Sequence, residues 1–125
     1  MAFEVEKLDI SLPTAVDLSG SQYCAVSVDS SGNAILPTAA GDPIIGILQN
    51  DPKAGQTASV RVLGVSYVVS SAVVADGALV TVDTAGKATT AAAGNYIAGI
   101  AIGGAAAAGD YVSMLLKSFG TVPAA

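Results

Sequence analysis

AVSVDSSGNA (Ala25–Ala34) and LVTVDTAGKA (Leu79–Ala88) are two writings of one pattern. In each, apolar and polar residues alternate up to an aspartate, the period of a half-buried strand. A cluster of small polar residues with a glycine follows, which suits a tight turn. Val26 stands over Val80, Val28 over Val82, Asp29 over Asp83, Gly32 over Gly86 and Ala34 over Ala88. After a one-residue gap the match resumes, with Gly41 over Gly94, Ile44 over Ile97, Gly46 over Gly99 and Ile47 over Ile100. Each copy then passes a turn ending at Gly55 or Gly109 and enters an apolar strand, ASVRVL or YVSMLL. Agreement at glycines and aspartates, whose backbone roles are special, points to an internal duplication.

The neighbouring segments carry β signals as well. IIGILQN is a short apolar strand in which Gly46 marks a bulge or a close backbone approach. TASVRVLG places Val60 and Val62 on one face and Ser59 and Arg61 on the other, VSYVVSS is a further strand, and the chain bends at Asp76-Gly77. Regularly punctuated short strands predict an all-β fold, a small β-barrel or sandwich built from the duplication, with an extended N-terminal arm. The expected division is an arm and first strand over 1–22, a duplicated β domain over 23–117 (copies about 25–63 and 79–116), and a tail over 118–125, loose after Phe119. In FEVEKLDISL the alternation changes phase at Lys7–Leu8, which requires a bulge or a strand that passes from one surface to another. Such a segment either closes its own barrel as an edge strand or pairs with a neighbouring subunit. The second reading makes Phe3, Val5, Leu8, Ile10 and Leu12 the candidate interface.

Composition narrows the function. The 125 residues are 52% hydrophobic, mostly Ala and Val, with no Trp, so the core is made of many small groups. The formal charge of −5 and the scattered cations Lys7, Lys53, Arg61, Lys87 and Lys117 leave no basic stripe for nucleic acid. The absence of histidine removes imidazole acid/base chemistry and the commonest zinc ligand. Cys24, the lone cysteine, reads as a small core residue, and a reducing compartment is compatible. The first residues lack the apolar run of a signal peptide. From Ala88 to Gly109 no charge occurs, which is length enough for a membrane span, but the stretch is rich in Gly and its counterpart in the first copy carries charges, so no span is expected. No cofactor fingerprint and no calcium-loop spacing is present, and neither a metal nor a cofactor is expected. Tyr23, Tyr67, Tyr96 and Tyr111 are either core fillers or interface anchors.

The paired aspartates raise an enzymatic alternative. Aspartic proteases set two Asp-Thr/Ser-Gly loops about a pseudo-twofold, with two carboxylates sharing a proton. In VDSSG and VDTAG, Ser31 and Ala85 separate the hydroxyl residue from the glycine, so the tight loop behind the carboxylate is missing. Asp29 and Asp83 are therefore expected to open turns, and no enzyme activity is expected.

One stretch is more distinctive than the rest. From Gly41 to Thr90 the chain reads GDPIIGILQNDPKAGQTASVRVLGVSYVVSSAVVADGALVTVDTAGKATT. This resembles the capsid cement, or head-decoration, proteins of tailed bacteriophages, which carry an IGVLQN-x-P-x-AG segment leading to VRVxG and later a D-x-x-G-K/R-A turn. Here those features are Ile45 to Asn50, Pro52, Ala54-Gly55, Val60 to Gly64, and Asp83 to Ala88, within a resemblance covering roughly 16–116. It implies a structural protein that binds the outside of an expanded head, clamps adjoining subunits of the major capsid protein and is made in the host cytoplasm. It also implies a homo-oligomer, most simply a homotrimer. The rivals are a phage tail or baseplate component, the aspartic-type protease, and a capsid-displayed module that grips host glycans.

Overall fold

The computed structural model describes residues 3–117 and 120–123, and among them there are β-strands and no helix. β1 (Val5–Pro13) is followed by the hairpin of β2 (Ala25–Val28) and β3 (Ala34–Ile35), then by β4 (Gly46–Leu48) and the long β5 (Thr57–Val69). β6 (Leu79–Val82), β7 (Ala88–Thr90), β8 (Gly99–Gly103) and β9 (Tyr111–Leu116) repeat the scheme. The strands form one sheet in the order β3-β2-β4-β5-β9-β8-β6-β7, with β1 added to β5. The sheet is antiparallel and curls into a half-barrel. Hydrogen bonds from the Ala25 amide to the Gly86 carbonyl and from the Gly41 amide to the Val82 carbonyl tie its two ends together.

The two copies pair their strands at corresponding residues. Ala25 faces Ile47 and Val26 faces Gly46, as Leu79 faces Ile100 and Val80 faces Gly99. Ile47 faces Arg61 and Leu48 faces Val60, as Ile100 faces Leu115 and Ala101 faces Met114. Gly46 and Gly99 mark a close approach, since a methyl group at either would overlap the carbonyl of Arg61 or Leu115. That resolves the choice between bulge and close approach.

Two expectations change. The segments read as two strands on either side of Gly64 are one strand, β5, with Gly64 at φ +110 inside it. Near Val60 and Arg61, β5 lies between β1 and β4; at Gly64 and Val65 it lies between β1 and β9. It is thus the seam that joins the repeats. The tail was expected to be loose after Phe119, and residues 118, 119, 124 and 125 lie outside those described. Gly120 and Val122, however, exchange backbone hydrogen bonds with Gly94, Asn95 and Ile97. The uncharged stretch from Ala88 to Gly109 supplies β7 and β8, and no helix among the described residues is long and apolar enough to cross a membrane.

The core has two clusters. The larger joins Ala25 and Ile47 of the first repeat to Val80, Val82 and Met114 of the second, with Val68 of β5 between them. The smaller holds Val26, Leu48 and Val60 beneath Leu18, with Ile10 and Leu12 of β1 packed against it. Val, Ala and Ile fill such thin interiors because the inner face of a curled sheet closes on small side chains without voids.

Candidate interaction surface

Each aspartate of the repeated motif serves its own turn. Asp29 Oδ1 accepts the amides of Ser31 and Asn33, both at 2.9 Å. Asp83 Oδ1 accepts those of Ala85 and Lys87, also at 2.9 Å. The Asn33 amide above all, joined by the Ser31 amide, holds the Asp29 carboxyl below its ordinary value against the opposing effect of desolvation. A proton-sharing dyad would instead push one carboxyl upward. The motif is a matched pair of side-chain-capped turns.

The N-terminal segment is the second feature. β1 pairs with β5 of the same chain, from Val5 opposite Val65 to Pro13 opposite Thr57. The register shifts on both sides of Leu8, the irregularity that the phase change at Lys7–Leu8 predicts. Ile10 and Leu12 turn onto the molecule's own smaller core cluster. Phe3, Val5 and Leu8 are exposed, so of the five candidate interface residues these three present apolar surface. Ahead of β1, the Phe3 amide donates to Ser113 Oγ, whose hydroxyl donates back to the Phe3 carbonyl. Phe3 therefore lies against β9.

A buried cation fastens this segment. Arg61 Nη1 pairs with Glu4 Oε2 at 2.7 Å and Nε with Asp9 Oδ1 at 3.0 Å. Nη1 also donates to the Val65 carbonyl at 3.2 Å. Burial works against the Arg61 charge, but the hydrogen bonds and charges of Asp9 and Glu4 outweigh it and hold the guanidinium above its ordinary pKa. Beside it, three of the four tyrosines form one block. Tyr67 and Tyr111 stack with centroids 5.3 Å apart, and Tyr23 meets them edge-on at 5.6 and 5.5 Å. These spacings are those of rings in direct contact, which leaves no gap for a guest cation between them. Tyr23 holds φ at 63°, an unusual conformation for a residue with a side chain, fixed by its amide on the Leu48 carbonyl and its carbonyl on the Val69 amide. Desolvation, then Glu4 and the neighbouring tyrosines, raise its phenol pKa.

Sequence reasoning missed both the Arg61 ion pairs and the tyrosine block. Asp9 and Arg61 are far apart in the chain, and Tyr67 and Tyr111 meet only through the β5–β9 register, so no local spacing announces either. Tyr96, the fourth tyrosine, lines a shallow groove of about 330 Å³ with Ile44, Leu63 and Leu116. Apart from Lys117 and the Tyr96 hydroxyl its lining is apolar, and it gathers neither Asp29 nor Asp83. Among the described residues no group of three His, Cys, Asp or Glu is placed to hold a metal ion. Burial raises the Cys24 thiol, which suits the core role read from the sequence.

A duplicated half-barrel whose two motif aspartates cap their own turns, whose Glu4 and Asp9 are held by Arg61, and whose N-terminal strand exposes apolar side chains has the build of a structural β module. The comparisons agree. Residues 6–117 match the family described as phage cement protein, and the chain belongs to that family. Its function is decoration of a phage capsid. The crystal structure of the head fiber gp8.5 N base of bacteriophage phi29 shares the fold, with a TM-score of 0.70 at 15% sequence identity, over 88% of this chain and 93% of that one. No curated protein matches the chain.

Proposed function

We propose that the protein binds the outer surface of the phage head and reinforces contacts between major capsid protein subunits, without catalysis and without a cofactor. The observation that carries this is the family match, which spans nearly the whole β domain. The remaining geometry supports it. A protein that binds only the assembled shell stabilises that shell by mass action. Contacts to several subunits at once multiply modest affinities. The negative net charge suits a part that stays clear of the packaged genome. In this reading residues 23–117 are the clip body and residues 1–22 carry the attachment segment, with Phe3, Val5 and Leu8 as its exposed apolar contacts. The chain acts as a homo-oligomer, with a homotrimer as the form that fits local threefold positions of a shell, and is made in the host cytoplasm.

The test is cosedimentation of the purified chain with expanded heads that lack it, followed by heating. Bound protein should raise the temperature at which the heads release DNA, and Phe3→Ser/Val5→Ser should weaken binding about tenfold or more. Absence from the head fraction, with label found on tails instead, would transfer the protein to the tail or baseplate. Deletion of residues 1–12 is a poorer probe, because Ile10, Leu12 and the Arg61 ion pairs make β1 part of the fold.

A further inference from the structure

The antiparallel register sets Tyr67 opposite Ser113 and Val69 opposite Tyr111, so Tyr67 and Tyr111 are diagonal neighbours on one face of the β5–β9 pair. Their rings are stacked, with centroids 5.3 Å apart and planes 26° from parallel. Tyr23 meets both nearly at right angles, 86° to Tyr67 and 80° to Tyr111. Each ring thus touches the other two, which limits its freedom to turn away. Tyr111 is 46% exposed, so the block is open to reagents in the solvent.

The rest of the chain leaves this block as the preferred target of a one-electron oxidant. The sequence has no Trp, the side chain that competes most strongly with tyrosine for oxidation. Cys24 and Met114, the sulfur-bearing side chains among the described residues, are 3% and 0% exposed. Burial also raises the Cys24 thiol pKa and keeps it protonated, its less reactive form. Tyr96, the fourth tyrosine, lines the groove with Ile44 and Leu116 instead.

We infer that Tyr67 and Tyr111 form a cross-linking site, at which a radical one-electron oxidant from the medium joins them as an intrachain dityrosine between β5 and β9. Each ring gives one electron to the oxidant and its phenolic proton to water, leaving two neutral tyrosyl radicals. The unpaired spin lies partly on the ring carbons beside the hydroxyl-bearing carbon, and one such carbon from each ring forms the new C–C bond. Each bonded carbon then releases its hydrogen as a proton while the oxygen of the same ring takes one up, which restores both aromatic rings. The sum is a loss of two electrons and two protons. Stacking favours this pair, because the half-filled π orbitals of facing carbons point at each other. The edge-on contacts of Tyr23 turn C–H bonds toward a ring face instead, so Tyr23 is held out of the reaction. The bond ties the seam strand to the last strand of the second repeat, and the site stands apart from the proposed capsid role.

Visible-light oxidation of the full chain by ruthenium tris-bipyridine and persulfate, at low micromolar concentration, tests this. The wild type should gain the blue fluorescence of dityrosine and lose two hydrogens in mass while running as a single chain on a denaturing gel. Trypsin should then release residues 62–87 joined to residues 88–117, the peptides that hold Tyr67 and Tyr111. Tyr67→Phe and Tyr111→Phe keep the ring and remove the phenol, and each should lower the yield about tenfold or more. Tyr23→Phe should retain the product, and so should Tyr96→Phe, which separates Tyr111 from the other tyrosine of its peptide. Oxidation in strong urea, where the register is lost, should also lower the intrachain yield about tenfold or more. A bond from residues 8–53, which carry Tyr23, a product formed mainly between chains, or a yield unchanged by urea or by Tyr111→Phe would overturn the assignment. Head binding is not among the readouts, so the outcome leaves the capsid role to its own test.

Discussion

Thr81 and Ser27 hold equivalent places in the two repeats, yet their hydroxyls fare differently. Ser27 Oγ donates to the Pro43 carbonyl at 2.8 Å, whereas Thr81 Oγ1 is buried with no hydrogen-bond partner among the described residues. A buried unsatisfied hydroxyl costs about 1 to 3 kcal/mol, and valine has nearly its shape. Thr81→Val should therefore stabilise the fold by about 1 kcal/mol, read as a higher urea midpoint at unchanged slope. A lower midpoint would mean that the hydroxyl is satisfied in solution. Asp29 gives a residue-scale prediction in pH. Its carboxyl pKa is lowered in the fold, so its contribution is present above the unfolded value near about 3.9 and fades as pH falls through the folded one. Asp29→Ala should melt below the wild type at pH 6, and the gap should close as the pH is taken down past about 3.9. A gap that persists undiminished into strong acid would show that the charge is not what the turn uses.

At the scale of the element, Arg61 sits where the second repeat has Leu115, so the sheet itself accepts leucine there. What leucine cannot do is answer Glu4 and Asp9. Arg61→Leu should keep the β5 register with β4 and release the N-terminal end of β1, at a cost of about 1 to 3 kcal/mol, discounted because both carboxylates keep some contact with water. Hydrogen exchange should quicken over the first residues of β1 and stay slow in β9; equal protection in both would refute the fastening role. This element also shows how far the sequence could be read. The phase change in FEVEKLDISL announced the irregularity near Leu8, because side-chain alternation is local and needs no partner to be seen. The equivalence of the two repeats was legible in the matched Val, Gly and Asp positions for the same reason. Which strand received β1 was not legible, since an edge strand of this chain and an arm for a neighbour share one local pattern. Nor was the continuity of β5, because Gly64 at φ +110 reads in sequence like a turn and serves instead as a kink inside a strand.

At the scale of the whole molecule, the larger core cluster is closed only by both repeats together. Ala25 and Ile47 of the first are covered by Val80, Val82 and Met114 of the second, and β5 belongs to both. Each half is also of a size at which the surface buried on folding is marginal for a chain on its own. Unfolding should accordingly be a single cooperative event, with tyrosine fluorescence and far-ultraviolet circular dichroism tracing coincident transitions. Separate polypeptides covering 1–70 and 71–125 should each be unstructured and regain strand signal when mixed. Independent folding of 71–125, or two resolved transitions, would mean that the repeats are separable units. The distinction bears on the capsid role. A clip whose halves melt separately could open under the outward load of packaged DNA while still attached at one end. A shared core instead requires the contacts across β5 to be lost together, so resistance to the load is set by the unfolding barrier of the whole domain.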